Sequence, residues 1–278
     1  MTTSRASDPH ADRSRFADVS DSTVLAEGSA YWLRTLAGED RNLERLRSWL
    51  GMLPDAPRCK ICRAPFAAWG SLISRGIGRR RASGDVMLCR GCSARVTQHQ
   101  GTAEVDATII IADNRASESL HTDGDKTHFT RLVGRAIDRH GGILEKVEDN
   151  HLRAFFIAWS AGEDHVRRAI DACRDLFAAA SDDRDGRRSI GVGLHTGRAR
   201  IGTMSDGDRV DFGATGPIVN VTAKLASAAT AGEALVSLAA WRQQGGPVAK
   251  SRRRSVPIPG ELQPIEAVVV RGDIEAKL

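Results

Sequence analysis

Three hydrophobic patterns follow one another along the chain. Between Ser22 and Leu53, residues Leu25, Leu33, Leu36, Leu43, Leu46, Leu50 and Leu53 recur loosely at helical spacing with charges between them. This predicts one or two amphipathic helices interrupted around Gly38. Trp32 and Trp49 on this stretch are large apolar groups expected to pack on the rest of the protein or on a second copy. Ahead of it, Met1 to Asp21 is polar and charged and reads as a disordered leader over residues 1–21. The helical segment is taken as residues 22–56.

From residue 57 to 102 apolar positions thin out. The stretch between Cys62 and Cys89 is rich in Gly and Arg, with Trp69, Leu72 and Ile73 as its few core candidates. From Ala103 to Leu278 the pattern is α/β. Glu104–Ala112 reads as a strand and Lys126–His140 as a helix with Phe129, Leu132, Val133, Ala136 and Ile137 on one face, stopped at Gly141-Gly142. Ile143–Val147 and Leu152–Trp159 read as a hairpin around a polar turn at Glu148–His151. Glu163–Ala180 is a second helix, with Cys173 on its inward face as a core thiol. Arg188–Thr196 and Ala199–Gly202 are expected as a strand pair around Gly197. Val219–Ala228 follows as a helix, and Ala234–Ser237 and Ile265–Arg271 as late strands. Strand-helix-strand-strand-helix-strand is the split βαβ order, so the expected fold is an α/β ferredoxin-like domain.

Charge and cysteine placement sharpen the middle segment. Residues 57–100 hold nine Lys and Arg against one acid, Asp85; that is +8 locally and leaves −3 for the rest of a chain whose net charge is +5. Four of the five cysteines form two C-x-x-C pairs, Cys59/Cys62 and Cys89/Cys92, with 26 residues between. Each pair is a tight turn that aims two thiolates at one point, and two such turns supply a tetrahedral zinc set. A segment this poor in apolar residues needs a metal to hold it. A redox dithiol pair and free buried thiols are the rival readings. Structural Zn2+ on a small zinc-ribbon-like module is the expectation.

Hydrophobic content of 41% against 27% charge excludes a wholly disordered chain, and no apolar run approaches 18 residues, which excludes a membrane-spanning helix. No secretory leader is visible, so a cytoplasmic protein is expected. Arg79-Arg80-Arg81 and Arg252-Arg253-Arg254 read as solvated basic surface, the second cluster in a loop. Interleaved aromatics and a zinc-finger helix pattern are missing, so nucleic-acid binding is not expected. His195 reads as structural, and His121, His128, His140, His151 and His165 show no ligand spacing with one another. Asp113 ends the first strand ahead of a polar loop, where a carboxylate serves either as a metal ligand or as a helix cap. The hairpin turn at Asp149 and Asn150 is the second acidic spot, and a ferredoxin-like core brings the two together.

These residues carry a resemblance. The pieces are Ile110-Ile111-Ala112-Asp113, His140-Gly141-Gly142 with Lys146 four residues on, Gly191 to Gly197, Arg209-Val210-Asp211-Phe212, and Gly216 to Leu225. In this order they resemble a class III nucleotidyl cyclase catalytic domain, the adenylate/guanylate cyclase homology domain, over residues 103–278. The cysteine module ahead of it resembles one found before such domains in some bacterial cyclases. The resemblance implies conversion of a nucleoside triphosphate, ATP as first guess, to a 3′,5′-cyclic nucleotide and pyrophosphate. It also implies two Mg2+ or Mn2+ ions and a head-to-tail dimer, either homodimer or heterodimer.

Carried over by position, Asp113 matches the first metal aspartate and Asn150 stands where the second is expected, with Asp149 its neighbour. Asn220 matches the ribose-orienting Asn, and Lys224 stands in place of the Arg that steadies the phosphate, keeping charge without the planar two-pronged grip. Lys146 matches one base-reading position, and Gly213 replaces its partner. Loss of a metal ligand and of the Arg predicts weak turnover, or a pseudo-cyclase that serves as a nucleotide-sensing, dimerising or heterodimer partner module.

Overall fold

A computed structural model of the chain describes residues 11–53, 57–82, 87–115, 123–148, 151–181, 190–206, 209–247, 251–257 and 263–271. Two helices, α1 (Ala11–Leu36) and α2 (Arg41–Met52), lead into the cysteine module, which carries α3 (Ala68–Gly76) and α4 (Arg90–Gln98). Asp40 fixes the start of α2: its carboxylate accepts the Leu43 N–H at 3.0 Å and pairs with Arg95 of α4 at 2.6 Å.

The remainder is one eight-stranded sheet. Its elements are β1 (Thr102–Asn114), α5 (Asp123–Arg139), β2 (Ile143–Glu148), β3 (His151–Ile157), α6 (Ala158–Ala161), α7 (His165–Ser181), β4 (Ile190–Asp206) and β5 (Arg209–Thr215). Then come α8 (Pro217–Ala228), β6 (Glu233–Ser237), α9 (Leu238–Gln243), β7 (Arg253–Val256) and β8 (Ile265–Arg271). The strand order is β2-β3-β1-β4-β6-β8-β7, with β5 folded back on β4. The first four strands are therefore the expected ferredoxin-like split βαβ, with β1 antiparallel to both β3 and β4.

Both faces of the sheet are covered, which is why β1 reads as an unbroken apolar run. Ile110 and Ala112 face a layer built by α5 and α7 with Val133, Ile137, Ile170 and Leu176. Ile109 and Ile111 face the other way, into a core shared with Phe155, Phe212, Trp32 and the cysteine module. Helix α8 lies close over β4 because Gly193 has no side chain: a Cβ there would stand 2.3 Å from Ala226 N and Thr222 O.

Several expectations are corrected. Helix α1 begins at Ala11, inside the segment read as a disordered leader, where no Gly or Pro interrupts the chain from Ala11 to Ala26; residues 1–10 lie outside the described residues. The strand pair expected around Gly197 is one continuous strand, β4, since Gly197 pairs in register with Ala107 of β1. Strand β3 stops at Ile157, and Trp159 sits on α6. Trp69, Leu72 and Ile73 are not core: they are 80%, 57% and 42% exposed on one face of α3. Trp32 is fully buried but Trp49 is not. Arg253 and Arg254 lie on β7 rather than in a loop, and Arg254 is tied to the buried carboxylate of Glu233. Cys173 is buried in the core as expected, where burial pushes its thiol up to about 12. No helix among the described residues is long and apolar enough to cross a membrane.

Candidate functional site

Two chemically distinct places stand out. The first is the cysteine cluster. Backbone bonds from Arg63 N–H to Cys59 C=O and from Ser93 N–H to Cys89 C=O close the two turns, and Lys60 N–H to Met87 C=O joins them. All four sulfurs are buried, unbridged and within 4.8 Å of one another. The Cys59 sulfur accepts the Cys89 backbone N–H at 3.3 Å, and Arg79 lies 3.9 Å from the Cys89 sulfur. Hydrogen bonds from Cys59, Cys62 and Cys92 hold the Cys89 thiol well below its ordinary value. Four buried thiols converging on one point are a set that could hold a metal ion. Arg79, read as solvated surface, is part of it.

The second place is the end of β1. Asp113 is buried. Its Oδ1 bonds His151 Nδ1 at 2.7 Å, and its Oδ2 lies 3.6 Å from Arg115. The antiparallel register puts His151 directly opposite Asp113. Sequence reading missed this partner because the two residues are 38 positions apart; only the β1–β3 register reveals it. Asp149 and Asn150 lie outside the described residues. Among the described residues the donors at this place are one carboxylate and one imidazole, already bonded to each other. That set is too small to hold Mg2+ or Mn2+ by itself.

Between these places runs a buried ionic network. A bulge in β2 between Leu144 and Lys146 re-aims the chain so that Glu145 turns inward. Its Oε1 accepts from Arg153 at 2.6 Å and from the Ala214 N–H at 3.1 Å, while its Oε2 is buried without a partner among the described residues. Desolvation raises the Glu145 carboxyl, although Arg153, the Ala214 N–H and Lys60 pull the other way. Lys60, from inside the first C-x-x-C turn, reaches over to bond Asp211 at 2.6 Å and the Phe212 carbonyl at 3.2 Å. Gly213 belongs to this network by having no side chain: a Cβ there would lie 2.3 Å from Glu145 Oε1. Glu145 and Lys60 were not singled out from sequence. A Glu at a bulge and a Lys in a turn look like surface until the module docks on the sheet.

Lys146 lies on β2, its backbone opposite Arg153. Asn220 and Lys224 stand one turn apart on the exposed side of α8, and neither makes a hydrogen bond or ion pair among the described residues. No hydrogen bond or ion pair among the described residues links them to Asp113. His195 bonds Ser237 at 2.8 Å, His165 bonds Thr108 at 2.9 Å and His140 bonds Asp175 at 3.0 Å, all structural uses.

No protein-family model and no curated protein matches the chain. Solved structures do. The guanylyl cyclase Cya2 aligns over 64% of this chain and 98% of its own, with a TM-score of 0.55 and 20% identity. The adenylyl cyclase CyaB from P. aeruginosa aligns over 61% and 95%, with a TM-score of 0.51 and 21% identity. The guanylate cyclase domain of RhGC from Catenaria anguillulae, in complex with GTP, aligns over 60% and 98%, with a TM-score of 0.51 and 17% identity. The chain therefore has the fold of class III adenylyl and guanylyl cyclase catalytic domains, at a divergent level of sequence.

Proposed function

We propose that the chain is a class III nucleotidyl cyclase-like protein that binds a nucleoside triphosphate between two copies and turns it over weakly. The observation that carries this reading is Asp113. A buried carboxylate at the end of β1, on a cyclase catalytic fold, is where the resemblance places a metal ligand. Here it is already hydrogen-bonded to His151 and lies 3.6 Å from the Arg115 guanidinium. A divalent cation must compete with both, so metal affinity and turnover fall together. Solved relatives in this fold were crystallised with GTP and with ATPαS, which supports a triphosphate ligand.

The α8 pair fits a shared site. Asn220 and Lys224 are exposed and make no hydrogen bond or ion pair among the described residues, as expected of groups that act on a nucleotide held by a second copy. Lys224 would supply charge to the triphosphate as a point ammonium, and Asn220 an amide to a sugar hydroxyl. When bound, a divalent ion would neutralise the phosphates. The base is left to Lys146 and to whatever Gly213 and Glu145 admit. Structural Zn2+ is the proposed occupant of the cysteine set: four sulfurs about 2.3 Å from one ion stand about 3.8 Å apart, and the Cys62 and Cys89 sulfurs are 3.7 Å apart.

A second reading, an inactive partner module, draws on Glu145. Its carboxylate fills the space a side chain at 213 would need. The test is a cyclase assay of the purified protein with ATP, GTP, CTP and UTP separately, with Mn2+ and with Mg2+, read by mass spectrometry. Low, Mn2+-favoured cyclic product that rises at least tenfold in Asn150→Asp/Lys224→Arg supports the enzyme reading. Triphosphate binding with no product from either protein supports the partner module, and the absence of binding overturns both.

A further inference from the structure

A cavity of about 300 Å³ opens between the cysteine module and the α5–β2 corner. Its walls are chemically lopsided. Six Lys and Arg residues line it against a single acid, Asp138. Two of the six are committed elsewhere: Lys60 to Asp211, and Arg47 to the Ile61 carbonyl and the face of Trp159. That leaves Arg58, Arg63, Arg131 and Arg135 to one carboxylate. Arg58 and Arg63 share it at 2.9 and 3.3 Å. Arg131 and Arg135, one turn apart on α5, are exposed and form no ion pair among the described residues. The floor is apolar, from Met87, Ile137, Ile143 and Leu144 with the Gly141-Gly142 backbone.

Arg63 is the telling residue. It is the one non-glycine among the described residues with positive φ, at 62°. That conformation costs an ordinary side chain free energy that glycine would not lose. The Arg63 side chain lines the cavity and reaches Asp138, and its Nε, beside Gly51, is buried with no hydrogen-bond partner among the described residues. The positive φ belongs to the closure of the Cys59–Cys62 turn; the unsatisfied donor and the excess positive charge on the wall of an apolar hollow point to an anionic ligand. We infer that this cleft binds a small organic anion, a single carboxylate or phosphate head on an apolar body, with the head at Arg63, Arg131 and Arg135 and the body on the Leu144–Met87 floor. A cavity of this size lies at the small end of ligand pockets, so a chain of roughly eight carbons or a single nucleotide is the upper limit. The site is independent of the cyclase reading and stands whether or not the chain makes a cyclic nucleotide.

The experiment is isothermal titration calorimetry on the full chain with inorganic phosphate, octanoate, AMP and 3′,5′-cyclic AMP. The expected result is that octanoate or a nucleotide binds at least tenfold more tightly than inorganic phosphate. Octanoate alone identifies a carboxylate ligand, and a nucleotide alone a phosphate one. Arg63→Gly suits the backbone at φ 62°, so it should leave the melting temperature unchanged or raised while weakening binding at least tenfold. Arg131→Gln/Arg135→Gln, which touches no core contact, should weaken it as well. Absence of binding by all four probes at millimolar concentration overturns the inference. So does wild-type affinity in Arg63→Gly, and so does nucleotide binding that is lost in Lys224→Ala but kept in Arg63→Gly, which would place the nucleotide at α8.

Discussion

Lys60 lies between two cysteines of the four-thiol cluster, yet its ammonium is spent on the sheet. It is almost fully buried and bonds Asp211 and the Phe212 carbonyl, with Glu145 close enough to add attraction. Removing it strips a charge-assisted bond from Asp211, whose side chain is 31% exposed, and one from the Phe212 carbonyl, a loss on the order of 1.5–3 kcal/mol. Lys60→Met should therefore destabilise the chain by about that amount in urea titrations, against a small effect for Arg139→Gln at the exposed pair with Asp175. Equal, small effects would mean that water reaches the network. His195 makes a separate, pH-dependent contribution. Burial holds it down to about 4, against an unfolded value near 6.5. Above pH 6.5 both states are neutral and nothing is lost. As pH falls from 6.5 towards 4 the unfolded chain takes a proton that the folded chain refuses, and stability drops by up to ~3 kcal/mol. His165, also held down by burial, acts in the same direction. Unfolding free energies at pH 7.5 and 4.5 should show this loss, and His195→Gln should flatten the slope. An unchanged slope would assign the acid sensitivity to other groups.

At the scale of elements, strands with strong apolar runs were legible. β1, β3, β6 and β8 fall within a few residues of expectation because their Ile, Val and Phe have no alternative to burial. Elements missed or misplaced owe their form to partners. β5 carries Arg209, Asp211 and a glycine, a poor strand by itself, and forms because β4 runs on to Asp206 to pair with it. The four cysteines were legible as one site because spacing alone dictates their convergence. Asp113 was legible as a strand-end carboxylate, but its hydrogen bond to His151 depends on register, which composition does not encode. Gly213 shows the same limit. From sequence it is a missing base reader; in the fold its absent side chain is what admits Glu145. Gly213→Ala should then cost about 1–3 kcal/mol by overpacking, and Gly213→Asp more, because a second carboxylate would crowd the first. Glu145→Ala combined with either should recover part of the loss. A double-mutant cycle reads this directly, and strict additivity would show that the two residues do not compete for one space.

For the whole molecule, the question is whether the cysteine module is an appendage or part of the same core. Its apolar residues Ile61, Leu88 and Val96 are continuous with Ile109, Phe155 and Phe212 of the sheet. Trp32 joins the two, packing 4.9 Å from Phe212 while its Nε1 donates to the His99 carbonyl at 2.8 Å and to Thr203 at 3.2 Å. A segment with so few apolar residues of its own leans on the sheet and on the zinc proposed for its four cysteines. The sheet in turn would expose Phe155, Phe212 and the Glu145 network if the module left. The two parts should therefore unfold together. In scanning calorimetry the zinc-loaded chain should show one transition, and a chelator or Cys62→Ser should lower its midpoint by roughly 10 °C or more, since structural zinc contributes folding free energy directly. Near-UV circular dichroism should follow the same curve. If the chelated chain instead gains a separate low-temperature step while the main transition stays in place, the module is an independent unit. Metal occupancy could then report nothing to the sheet. If the transition moves as one, the state of four cysteines is felt at Asp211, Gly213 and Glu145, on the strands where the nucleotide base is expected to lie.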